Sequence, residues 1–329
     1  MFIRFFKTNH PASFIALPLF AVLLWLVSWI QPQVAAGVFG MSFFQVFSFL
    51  NNVPVLSELI AFFLVLIQSF YLNYLLNKYD LRESRERSNF LTALFAVVLL
   101  ALFPAFRTLL PQHFSGIFLL LMSDRVFDSY RKDSAFSNCF DAGFFAGIAS
   151  LFYLPAAVFF FLVWVGFIVL RAFNWREWLI AFLGFIIPWL MVLTFYFWFD
   201  RVDYFFTHQI GSGFSASYFN FGKPDNAVLI FIFTGILFFP AVMNFLKMMS
   251  SGKVKTNKFL LLFMWFLFFS IVSAFIFPVA SYTHFTLSAL PLAVIFSSWF
   301  LSLKKAWIAE SLFLILLGAF IYAEVMNSM

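Results

Sequence analysis

The chain has 329 residues, of which 64% are hydrophobic and 10% charged, and it carries a net charge of +6. Soluble globular domains average about 25% charged residues, so this composition excludes one and describes an integral membrane protein. The excess positive charge lies in short connections between apolar segments, where it faces anionic lipid and not nucleic acid.

Spanning helices need about 20 mostly apolar residues, and the first runs from about Ser13 to Ile30. Its basic lead-in, MFIRFFKTNH, reads as part of an uncleaved first span, because no small-residue cleavage site follows promptly. Residues 31–54 are uncharged and broken by Gln, Gly and Asn, which predicts a segment lying at the outer interface. Further spans are expected at about Val55–Leu76 and Phe90–Phe106, joined by the mixed-charge loop NKYDLRESRERSN. The apolar stretch Ser115–Met122 crosses only if the bilayer thins or its flanking turn residues enter it. The stretch Phe140–Leu170 is too long for one span and has Pro155 in its middle, which predicts two short helices meeting at a turn near Tyr153–Pro155. Spans near Leu179–Phe199, Ala227–Phe245, Phe259–Phe277, Phe285–Leu301 and Ala306–Tyr322 complete the pattern. The expectation is an all-α polytopic membrane protein of about eleven transmembrane helices, forming a single transmembrane domain over residues 1–329.

Threading these segments alternately puts seventeen of the twenty Lys and Arg residues on one side and leaves Arg107, Arg201 and Lys223 on the other. Basic loops stay cytoplasmic, so the N-terminus is expected inside and the protein in a bacterial inner membrane, as a multi-pass chain. The single cysteine, Cys139, excludes an internal disulfide and a multi-cysteine metal site.

The same threading isolates the outer polar residues. Glu58 sits one turn into the second span, and Asp200, Arg201 and Asp203 form a D-R-x-D run at a span's outer end. Such a run can place a carboxylate base beside an Arg suited to bidentate phosphate recognition, or it can be a self-neutralising cluster at a helix end. His113, His208 and His284 are expected outside and His10 inside. That separation, and the absence of H-x-x-H or H-x-x-x-H spacing, argues against the convergent histidine set that carotene-cleaving iron oxygenases need. ATPase, zincin and serine-hydrolase signatures are absent. The longest outer loop, residues 200–226, combines acids, His208, a Gly-Ser-Gly turn and Lys223, and long loops in compact folds are often functional.

Three stretches carry a resemblance: LSELIAFFLVLIQSFYLNYLLNKYDLRESRERSNFLTALFAVVLLALFPAF, FDAGFFAGIASLFYLPAAVFFFLVWVGFIVLRAFNWREWLIAFLGFIIPWL and SYTHFTLSALPLAVIFSSWF. In order, they resemble the GT-C glycosyltransferases, membrane enzymes that use polyprenyl-phosphate sugars. The family's acidic residue in its first outer segment has no counterpart in residues 31–54, where the nearest acid is Glu58, and Ser281 stands before Tyr282 where the family often has Arg. In its Phe-rich style the chain also resembles integral-membrane proteins of Bacteroidetes for which no activity is established.

The resemblance implies a GT-C-like bundle that binds a lipid-linked sugar at the outer face, as a transferase or a non-catalytic relative. Glu58, Asp200 or Asp203 would then serve as base. Arg107, Arg201 and Lys223 would meet phosphate, and His113, His208, Tyr282 and His284 would line the substrate. Membrane lipid and a polyprenyl-phosphate-linked sugar are the expected partners. No cofactor is expected, apart from the divalent metal ion a transferase of this class can use. Two other classes compete: a lipid or solute transporter or flippase, and a scaffold subunit of an envelope complex. A transporter needs polar residues along one path, and few stand at mid-membrane depth (Ser28, Gln68, Asn73, Ser150, Thr194, Thr234, Ser270 and Ser273).

Overall fold

The computed structural model describes residues 2–7, 12–30, 42–47, 49, 53–81, 89–214, 224–277 and 282–328. Among them it is all-helical, without a strand. The helices are α1 (Phe2–Lys7), α2 (Ala12–Ile30), α3 (Ser42–Gln45), α4 (Pro54–Lys78), α5 (Leu91–Ala101), α6 (Pro111–Asp128), α7 (Phe136–Phe152), α8 (Phe160–Leu170), α9 (Trp175–Trp198), α10 (Val202–Tyr204), α11 (Gly211–Phe214), α12 (Pro224–Ser251), α13 (Val254–Ile276), α14 (Thr286–Ser302) and α15 (Ala306–Ser328). Short 3₁₀ turns occupy Pro104–Arg107, Leu154–Phe159 and Tyr282–Phe285, and a π-helical turn occupies Phe205–Ile210.

Among the described residues, four helical segments are long and apolar enough to cross a membrane: Pro54–Lys78, Trp175–Trp198, Val254–Ile276 and Thr283–Ser302. The sequence also predicted where helices break. Phe140–Leu170 divides at Tyr153, an extended residue that ends α7, and Pro155 opens the next turn, where its missing N–H costs nothing. Pro54 and Pro111 open α4 and α6 in the same way. The short apolar stretch at 115–122 lies within a longer helix: α6 takes in Pro111–Phe114 before it and Asp124–Asp128 after it. Much of loop 124–139 is therefore helical, and the part without regular structure shrinks to the turn between α6 and α7. The long loop at 200–226 starts as helical turns over 202–214, and residues 215–223 lie outside the described set.

α5 is buried at all eleven of its positions, and α14 is buried along most of its length. Helices apolar on every side sit in the middle of a bundle. The two pack on each other, joined by the hydroxyl of Thr92, which donates to Ser297 Oγ at 2.8 Å. α9 lies at the periphery, with Leu190, Met191, Phe195 and Trp198 exposed.

α7 packs closely on α9, in contact through glycines. A Cβ on Gly143 would overlap the carbonyl oxygen of Ala181, and one on Gly184 would overlap that of Phe140. Small residues let membrane helices approach closely enough for van der Waals packing to hold them. Trp189 Nε1 donates to Ser150 Oγ at 2.8 Å across the same seam.

Candidate functional site

Hydrogen bonds sort the buried polar groups into two ends of the bundle. At one end, Arg171 closes the α8–α9 turn. Its Nε and Nη2 each lie 2.8 Å from a carboxylate oxygen of Glu177, and its Nη1 donates to the carbonyls of Ser129 and Lys132. This is the bidentate geometry at which Arg is strongest, and it ties the α8–α9 turn to the α6–α7 turn. Nearby, Asp124 accepts from Lys78 Nζ at 2.6 Å, from Tyr79 at 2.7 Å and from Tyr71 at 3.2 Å. Burial, and then the bond to Asp124, push the Tyr79 hydroxyl far above the ordinary phenol range, so it stays protonated as a donor. Asp128 is held below the ordinary carboxylate range, chiefly by the hydrogen bond from Lys132. Sequence reading did not single out Asp124, Arg171 or Glu177 as a connected set.

The other end gathers α3, the Pro104–Arg107 turn, the first turn of α6, the end of α7 and the Tyr282–Phe285 turn. His284 is wholly buried, with Nδ1 2.9 Å from Tyr153 OH and Nε2 2.8 Å from the carbonyl of Ser270 and 3.0 Å from Ser273 Oγ. A carbonyl only accepts, so Nε2 carries the proton and Nδ1 accepts from Tyr153. Gln112 Nε2 lies 3.4 Å from Thr283 Oγ1. The His113 ring sits 2.8 Å from the carbonyl of Phe106, which places its proton on Nε2 too. Gln68 Nε2 donates to the His113 carbonyl at 2.6 Å, and Gly116 leaves the room for it. Two buried acceptors here, Gln112 Oε1 and His113 Nδ1, meet no donor among the described residues.

The sequence candidates divide between this layer and the surface. Glu58 and Arg107 are fully buried on packed elements, α4 and the Pro104–Arg107 turn, and the N–H of Leu109 donates to the neighbouring Ser57 Oγ at 3.3 Å. Arg107 Nη1 donates to the carbonyl of Leu24 at 3.1 Å, and the guanidinium lies 5.2 Å from the centre of the Phe320 ring. Asp200, Arg201 and Asp203 are exposed where α9 ends, with Asp200 at φ 52°, and the turn after them packs through Phe205 on Leu151 and Val192. For His208 and Tyr282 the backbone alone is described, in the π-helical and 3₁₀ turns, and Lys223 lies outside the described residues.

Among the described residues no group of three His, Cys, Asp or Glu side chains could hold a metal ion. Sequence reading missed Gln112, Tyr153 and Thr283. They look like ordinary cap and turn residues, and only the contacts that join Tyr153 to His284 and Gln112 to Thr283 mark them.

A family model described as "Family of unknown function (DUF6427)" matches residues 8–329. The chain belongs to that family. No curated protein and no solved structure matches it. The buried polar layer and the resemblance of its segments are therefore what a functional reading of this DUF6427 member stands on.

Proposed function

We propose that the protein is a multi-pass inner-membrane protein with a GT-C-like bundle that binds a lipid-linked sugar at its outer face, as a non-catalytic relative of the transferases. Among the described residues, four long apolar helices, six shorter apolar ones and α6 support a reading with eleven spans. The threading is also supported by the contacts. Lys7 with Leu301, Tyr79 with Asp124 and Arg171 with Ser129 join residues it puts inside; Tyr153 with His284 and Gln112 with Thr283 join residues it puts outside.

The observation that carries the reading is the pair of buried acceptors without donors, Gln112 Oε1 and His113 Nδ1, in a layer shared with Glu58 and Arg107. Buried polar atoms are nearly always paired, and polar groups kept at membrane depth usually serve function. Sugar hydroxyls are donors suited to both atoms. Thr283 lies against Gln112, so a ligand bound there would also meet the Tyr282–Phe285 turn. Arg201 is exposed where α9 ends, and its exposure is what supports its assignment to the phosphate. Arg107 holds α2 and α15 together from within and acts as a positioning residue. The non-catalytic form is favoured because the candidate carboxylates are split, with Glu58 interior and Asp200 and Asp203 on the surface.

A short-chain polyprenyl-phosphate hexose titrated into protein in lipid nanodiscs tests the proposal. Saturable binding raises the melting temperature, and the rise shrinks in Arg201→Gln and Gln112→Leu. No saturable shift, or an undiminished shift in both variants, sinks it and favours a scaffold. Turnover of the sugar onto an acceptor, lost in Glu58→Gln, would restore the transferase form.

A further inference from the structure

A second feature lies outside the polar layer. Between α2 and α4, at the end of the bundle that carries Lys78, is a groove of about 630 Å³, within the roughly 300–1,000 Å³ of small-molecule sites. Phe63, Ile67, Phe70 and Tyr74 recur along α4 at helical spacing and line it, with Phe14 of α2 and Phe90 ahead of α5. Phe14, Phe70 and Phe90 pack on one another at centroid separations of 5.0, 6.1 and 6.4 Å. The three rings form one preset wall. Phe14, Phe63 and Ile67 are each more than half exposed, so the groove opens sideways into the surroundings.

One end of the groove is polar. Asn73, Tyr74 and Asn77 complete its lining, and Lys78 follows directly. The Lys78 ammonium lies 2.6 Å from Asp124 Oδ1 and 5.9 Å from the Tyr74 ring centre, and its side chain is 31% exposed. An ammonium has three donors, and among the described residues Asp124 is its hydrogen-bond acceptor. Tyr71, also in the lining, donates to the second oxygen of Asp124. An apolar channel that ends in amides and phenols, with a partly exposed cation one residue beyond its lining, is laid out like a phospholipid, with chain below and phosphate above. Lys and Tyr at this level are the usual headgroup anchors.

We propose that this groove is a specific site for a glycerophospholipid, with one acyl chain along α4 and the headgroup phosphate on Lys78. The leaflet, inner on the topology above, rests on that topology; the groove and its occupant do not. Maleimide labelling of the two ends tests the topology, so the two ideas fail separately.

Native mass spectrometry of the full chain, released from detergent with added phosphatidylglycerol, reads the site. The wild type is expected to retain one lipid after annular lipid is stripped. Ile67→Trp fills the groove and abolishes that adduct while leaving the melting temperature of the lipid-free protein unchanged. Lys78→Gln weakens retention roughly fivefold, the effect of one cation near a lipid surface. Phe268→Trp, on an exposed face of α13, leaves it intact. Retention of the lipid by folded Ile67→Trp overturns the proposal. So does a dimer of the chain that Ile67→Trp dissolves, since the groove would then be seating a second copy.

Discussion

His284 shows how a histidine expected to line a substrate site becomes part of a closed network. Both its nitrogens are engaged, by Tyr153 on one side and by Ser270 and Ser273 on the other. Tyr153→Phe removes the only proton that Nδ1 can accept in this geometry. It is expected to cost about 1–2 kcal/mol, the upper range of measured membrane side-chain hydrogen bonds, read as a lowered denaturation midpoint. Asp128 offers a pH test. Its folded-state value lies below the ordinary carboxylate value, so its bond to Lys132 contributes stability above about pH 3.9, and that contribution is lost as pH falls through the depressed folded value. Asp128→Asn should therefore melt earlier than the wild type at pH 7, and the two should converge in acid. Arg171→Lys should destabilise although charge is kept, because an ammonium cannot hold two carboxylate oxygens and two carbonyls in one plane.

Helix contact here is governed by which residues have no side chain. Gly143 and Gly184 allow the backbones of α7 and α9 to meet, so Gly143→Val forces the pair apart. Overpacking of this kind costs about 1–3 kcal/mol or more, and thermal unfolding of the variant would show it. Gly318, in α15, has nothing within 4 Å of the place its Cβ would occupy. Gly318→Ala should be neutral or stabilising, by up to about 1 kcal/mol of helix propensity. The G-x-x-x-G spacing of α7 was visible in the sequence, yet its partner was not. Gly184 lies in α9, a separate helix that could have packed elsewhere.

Among the described residues, buried polar contacts gather around Asp124 and Arg171 at one end of the bundle and around His284 and Gln112 at the other. Cys139 is buried, so the wild type supplies a quiet background for labelling introduced cysteines. In intact cells a membrane-impermeant maleimide is expected to modify Asp203→Cys and to leave Ser134→Cys untouched until the membrane is opened. The reverse pattern would invert the proposed orientation.

Much of this was legible in the linear chain. A bilayer leaves no water to satisfy backbone groups, so apolar runs must be helical, and Pro54, Pro111 and Pro155 mark where helices begin because proline lacks the N–H that an interior position needs. The sequence by itself therefore determined the all-helical fold class and most of the breaks. Which buried groups meet was decided by tertiary structure alone. Glu58 and Arg107 come to lie on packed elements, His284 reaches Tyr153 across 131 positions, and Asp200 and Asp203 stay at the surface. Side-chain hydrogen bonds depend on distances of a few tenths of an ångström between distant segments, and hydropathy, which reads one helix at a time, carries no record of them.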